Sequence, residues 1–257
     1  MKQKFLMLAI IFLGSWAWAF EKTYEKTFEV DPGADFYLSS HKGTIKINTD
    51  NGHTVRISAR IYVEAGEDDR AIEYTEIEAD ASRNYVRIKV DYHQKDWKSL
   101  WSGLVGNEVQ LPFIDFEITL PNDLNLSLNS HKSQFEVNAP AGEVRIESHK
   151  GTGYIRQVRN NLILESHKGA FDVEILEMRD IRVDTHKGEM NFRIQGAQDF
   201  TLLGSTHKGD LIVHGRDVSY KSDEKGKDLR LHERFGKGTH RITLDTHKGT
   251  IELNFVD

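Results

Sequence analysis

No cysteine occurs among the 257 residues. This excludes a disulfide framework, thiol chemistry and a lipid-modified N-terminal cysteine, so stability must rest on burial and backbone hydrogen bonding. Only four prolines are present, and no Ser/Gly-rich tract marks a linker. Beyond the first residues no apolar run is long enough to cross a bilayer, so no transmembrane segment is expected in the mature chain. A basic excess is also missing: the formal charge is −6 at pH 7, which argues against nucleic acid as a partner. A Ser-His-Asp spacing, a phosphate-binding glycine loop and a metal-hydrolase helix are absent, and the acidic positions recur singly rather than as a catalytic pair. The expectation is therefore no enzyme and no cofactor.

What the chain does have begins with a leader. Lys2 and Lys4 precede an apolar run from Phe5 to Leu13, and Ala17-Trp18-Ala19 is a small-x-small cleavage site. Residues 1–19 thus read as a signal peptide, which sends the mature chain to a periplasm or the medium. Losing the two lysines makes the mature chain slightly more acidic.

A four-residue phrase, Ser/Thr-His-Lys-Gly, then recurs along the sequence. Its His-Lys pairs are His41-Lys42, His149-Lys150, His167-Lys168, His186-Lys187, His207-Lys208 and His247-Lys248, and a seventh copy, His131-Lys132, has Ser133 in place of Gly. A degenerate copy lies at Ser222-Asp223-Glu224-Lys225-Gly226. From His131 on, the His-to-His steps are 18, 18, 19, 21 and 40 residues, the last being about two periods. A period near 20 residues is the signature of stacked repeats.

Alternation of period two flanks each phrase. Phe171, Val173 and Ile175 follow one copy, and Leu162 and Leu164 precede it; Met190, Phe192 and Ile194, with Ile181 and Val183, frame the next. These are half-buried strands. Continuing the parity turns Ser130, Ser148, Ser166, Thr185, Thr206 and Thr246 inward, and the histidines outward with Glu147, Glu165, Asp184 and Asp245. The phrase is then a corner between two strands, with Gly at a position of positive φ and a small hydroxyl residue in the bend.

Three sections follow from this pattern. After the leader, residues 20–119 form a β-rich section whose candidate strands are 24–30, 35–38, 44–49, 54–63, 72–79 and 85–92. It closes the N-terminal end of a stack, with His41 rejoining the column beside His131. Within it, residues 93–113 are an insertion holding Trp97 and Trp101, the tryptophans of the mature chain. A short helix capped by Asp96 would make this insertion a lid or a partner-contacting wedge. Residues 120–257 are the solenoid repeats, and the strand Thr250–Val256 is expected to leave an open edge that permits end-to-end self-association.

The phrase Leu120-Pro121-Asn122-Asp123-Leu124-Asn125-Leu126 and the Gly-x-Φ-x-Φ strands, with Ser/Thr-x-x-Gly turns, resemble a family of exported bacterial adhesin-like proteins built of β-strand repeats. The resemblance runs from Tyr24 to the C-terminus. It implies an all-β, parallel β-helix-like solenoid and brings no catalytic residues. The His-Lys pair is a departure, since such turns more often carry small or acidic residues.

Corner geometry accounts for Ser/Thr and Gly but gives no reason for His followed by Lys. The strands between corners have diverged, so duplication does not supply one either. Stacked lysines about 4.8 Å apart repel by about 1 kcal/mol per pair in water before screening. The first reading is a ladder that contacts an anionic polysaccharide or cell-surface polymer through many weak contacts, strengthening as pH falls through about 6.5. The alternatives are a purely structural solenoid, a metal-binding His ladder, and a β-helix enzyme acting on polysaccharide.

Overall fold

The computed structural model describes residues 21–64, 69–92, 111–222 and 228–256. The leader, Trp97, Trp101 and most of the degenerate phrase lie outside the described residues. Among the described residues there are sixteen strands: β1(Glu21–Glu29), β2(Asp35–Asp50), β3(Thr54–Tyr62), β4(Glu76–Ala81), β5(Tyr85–Asp91), β6(Phe113–Pro121), β7(Asn125–Asn138), β8(Val144–Val158), β9(Leu162–Ile175), β10(Ile181–Gln195), β11(Phe200–Thr206), β12(Asp210–His214), β13(Tyr220–Ser222), β14(Leu229–Phe235), β15(His240–Thr246) and β16(Thr250–Val256). One short helix, α1(Arg70–Glu73), interrupts them.

The repeats stack in parallel and in register. Ser130 pairs with Ser148, Ser148 with Ser166, and Ser166 with Thr185. Ladder pairing resumes at the lysines on the far side of the bend. In five copies, then, the phrase is not a turn between two strands but a bend inside one strand of 14–16 residues. The backbone can bend there without ending the ladder because each coil has an identical neighbour to hydrogen-bond. Only the copies at His207 and His247 break into separate strands.

The bends divide the sheet into two walls. The first runs β4-β5-β2-β7-β8-β9-β10-β15-β11-β14-β13, and the second runs β1-β3-β6-β2-β7-β8-β9-β10-β16-β12. Between β7 and β10, links of three to five residues return the chain from second wall to first. The alternating apolar residues of both walls meet in one core that extends from Val30 to Phe255. Phe200 of the first wall and Phe255 of the second stack at 5.0 Å. Full burial of each such side chain contributes about 1.5–3 kcal/mol.

The all-β stacked class expected from the sequence is present, but the molecule is not parallel throughout. Its ends are antiparallel, with β1 on β3 on β6, β4 on β5, and β13 on β14 on β11. Two further expectations fail. Residues 72–79 are not one strand, because Ala71 and Ile72 bury themselves through α1 and the strand starts only at Glu76. Nor is Thr250–Val256 an open edge: β16 pairs with β10 on one side and β12 on the other. The last coil, β15–β16, slots between β10 and the β11–β12 coil that precedes it in sequence. The long 40-residue step therefore does not add a coil at the end of the stack; it carries the chain around β14 and back inward.

Candidate functional site

At each corner the alternation delivers Ser or Thr to the core. Ser130, Ser148, Ser166, Thr185, Thr206 and Thr246 are all buried, as the parity requires. In the two broken copies the hydroxyl holds the turn: Gly209 N–H donates to Thr206 Oγ1 at 2.7 Å, and Gly249 N–H to Thr246 Oγ1 at 2.9 Å. The next two side chains, His and Lys, both face outward because the chain changes direction there. Gly follows because coils touch: a Cβ at Gly188 would lie 1.9 Å from the Gly169 carbonyl oxygen, and one at Gly209 2.1 Å from that of Gly249. Positive φ, the reason expected from sequence, holds only at Gly43 and Gly188 among these six glycines. Ser133, the natural exception, places its hydroxyl 2.5 Å from that of Ser130.

All seven phrase histidines form one column. His41 stacks on His131 at 4.6 Å between ring centroids, His131 on His149 at 4.5 Å, His149 on His167 at 4.7 Å and His167 on His186 at 4.8 Å. His186 then stacks on His247 at 4.7 Å, and His247 on His207 at 4.9 Å. The rings stay within 24° of parallel. The spatial order thus inverts the last two histidines, because the final coil is inserted. His41 joins despite its distance in sequence, as expected.

Beside the rings runs the lysine column. Lys42, Lys132, Lys150, Lys168 and Lys187 are paired in register. Lys248 and Lys208 extend it through N–H donation to the His186 and His247 carbonyls at 2.9 and 2.8 Å. Lys42 differs from the rest, with its ammonium 3.8 Å above the Phe113 ring. On the opposite side of the histidines, Asn129, Glu147, Glu165, Asp184 and Asp245 form a third column. Arg145 bridges two of these carboxylates, at 2.6 Å to Glu147 and 3.8 Å to Glu165. Imidazoles and carboxylates line a shallow open groove of about 630 Å³.

Stacking carries an electrostatic consequence. Burial, then its neighbours His131, Lys42 and Lys132, push the His41 imidazole down from 6.5 to about 4. His131, His167, His186 and His247 are lowered as well, first by desolvation and then by adjacent imidazoles and lysines. These five rings therefore favour the neutral form at pH 7. Their charging waits for a pH below the 6.5 expected from sequence.

Among the described residues, no three His, Asp or Glu side chains converge on a point that could hold a metal ion. Face-to-face rings spread their nitrogens along a line, which gives the metal reading no centre. Sequence reasoning missed several partners. Tyr92 meets His41 edge-on at 6.0 Å, and Asp228 Oδ1 lies 2.6 Å from His207 Nδ1. Asp228 sits in the irregular long step, where no periodic signal points to it.

No curated protein matches this chain. Among solved structures, a candidate cell adhesion protein from Clostridium sporogenes is 11% identical, with 91% of this chain and 100% of that one covered and a TM-score of 0.44. A candidate adhesin from Bacteroides fragilis is 12% identical over 91% and 97%, with a TM-score of 0.30. A candidate lipid-binding protein from Parabacteroides distasonis is 10% identical over 91% and 97%, with a TM-score of 0.25. At these identities and TM-scores nothing passes from them to this chain. The family model described as Toastrack DUF4097, however, matches residues 25–254, nearly the whole described chain. With its parallel bent strands stacked about one ridge, the protein belongs to the Toastrack DUF4097 family.

Proposed function

We propose that the protein is an exported, non-enzymatic, adhesin-like binding or scaffolding protein whose His-Lys ridge contacts an anionic polysaccharide or surface polymer. The observation that carries this reading is the unbroken column of seven stacked imidazoles beside seven lysines. Such a column spans roughly 30 Å at about 4.8 Å per strand. It suits a partner that repeats its charge along a line, because weak contacts in series add through effective concentration. The leader at residues 1–19 supports export.

The test is binding of the immobilised mature chain to polygalacturonate and to a neutral galactan at pH 7.5. A variant carrying Lys132→Gln, Lys150→Gln, Lys168→Gln and Lys187→Gln serves as control. The reading expects binding to the acidic polymer alone, weakened about tenfold or more in the variant. Equal binding of variant and parent would overturn it. One observation favours a second, structural reading: near-parallel rings at 4.5–4.9 Å are themselves a stabilising stack. Under that reading the lysine variant loses no binding, and loss of the histidines lowers only stability.

A further inference from the structure

A second site lies away from the ridge, on the outer face of the second wall. There β8 departs from its neighbours three times within a few residues. Gly153 stands where the adjoining coils have Phe135 and Phe171, at φ 150, and a Cβ on it would lie 1.9 Å from the Phe135 carbonyl oxygen. The register then slips between Ile155 and Val158. Gln157, inside the slip, has φ 63 and is the one non-glycine residue with positive φ among the described residues. A bulge of this kind bends the strand and re-aims the side chains beside it, and a strained backbone persists only where its surroundings hold it.

The outward side chains beside this bulge are Tyr154, in register with Glu136 and Asp172, and Arg156, in register with Asn138. Tyr154 is 48% exposed, and the Arg156 guanidinium lies over its ring, 5.1 Å from the centroid. Neighbouring coils bring Lys46, Asn48, Glu136 and Asn138 to the same cavity of about 250 Å³. Asn138 Nδ2 donates to Asn48 Oδ1 at 3.1 Å, a bond that does not use the Asn138 side-chain carbonyl oxygen or the Asn48 amide hydrogens. The charges are nearly balanced: Lys46 is 3.5 Å from Glu117, outside the lining, and the lining itself sets one carboxylate, Glu136, beside one guanidinium, Arg156. Such a site lacks the field that draws an anion. It offers an aromatic surface for C–H groups and paired donors and acceptors for hydroxyls, the usual means of fixing a small polar ligand.

We propose that this cavity is a saccharide subsite for one uncharged pyranose ring. The ring's C–H face rests on Tyr154, and its hydroxyls are met by Asn48, Asn138, Glu136 and Arg156. The site is independent of the His-Lys ridge: Tyr154 is four residues beyond Lys150, about 13 Å along the strand.

Saturation-transfer NMR on the mature chain tests this with the methyl glycosides of glucose, galactose, mannose and N-acetylglucosamine, and with glucuronate and galacturonate. At least one neutral glycoside should show transfer in the millimolar range, unchanged by raised salt. Affinity should fall about tenfold in Tyr154→Ala and be retained in Tyr154→Phe, since the ring face carries the contact. It should also persist in Lys150→Gln, which separates this site from the ridge. The proposal is overturned by transfer to the uronates alone, by no transfer to any neutral glycoside, by full binding in Tyr154→Ala, or by its loss in Lys150→Gln.

Discussion

His41, His131, His167, His186 and His247 each have a neighbouring imidazole whose protonation opposes their own. Burial and this repulsion hold His41 at about 4 and lower His131, His167, His186 and His247 from 6.5 in the folded chain. An unfolded histidine keeps the ordinary value, so below 6.5 the unfolded chain binds more protons than the folded one. Linkage then requires stability to fall as pH drops through that window. Thermal unfolding should show a lower Tm at pH 5 than at pH 7, and the drop should shrink in a His131→Asn, His167→Asn, His186→Asn variant. An equal drop in both proteins would show that other groups cause it. The glycines make a second residue-scale prediction. Gly188→Ala places a methyl against the Gly169 carbonyl at a φ of 150 that side chains avoid, and should cost about 1–3 kcal/mol by denaturant unfolding. Ser133→Gly, by contrast, restores the common phrase in its one variant copy and should change stability far less.

Much of the element scale was legible in the sequence. Period-two alternation through the inward hydroxyls gave the facing of Leu162, Leu164, Ser166, Phe171 and Val173, all of which are buried. The shared phrase gave register, because a one-residue slip would send those side chains to solvent and break the hydroxyl column. The order of coils was not legible. Strand β16 alternates like every other inner strand, and only its pairing with β10 and β12 reveals that it is interior. Local pattern records which face a residue takes, not which neighbour it meets. The Phe113 ring under Lys42 escaped for the same reason, since the two lie in different segments of the chain. The inserted coil makes its own prediction. Removing residues 240–257 would strip β10 and detach β11–β12, rather than trim one end. The truncated protein should lose cooperative thermal unfolding and elute as aggregate on size exclusion. A sharp transition in a monomer would contradict the interior placement.

At the scale of the whole molecule, stacking turns a weak local motif into a line of charge. The protein carries a net charge of −6, yet one ridge gathers seven lysines in register. Glu147, Glu165, Asp184 and Asp245 on the other side of the imidazoles restrict the positive face to the lysine side. Contact with an anionic polymer would then be electrostatic, additive along the ridge and screened by salt. The most direct measurement is the salt dependence of polygalacturonate affinity at pH 7.5. It compares the parent with variants in which two (Lys150, Lys168) and four (Lys132, Lys150, Lys168, Lys187) lysines are changed to Gln. The ridge account predicts that the slope of log affinity against log salt becomes shallower in steps as lysines are removed, each released contact taking its counterion with it. A slope that stays the same in all three proteins would place the contact elsewhere and contradict the account.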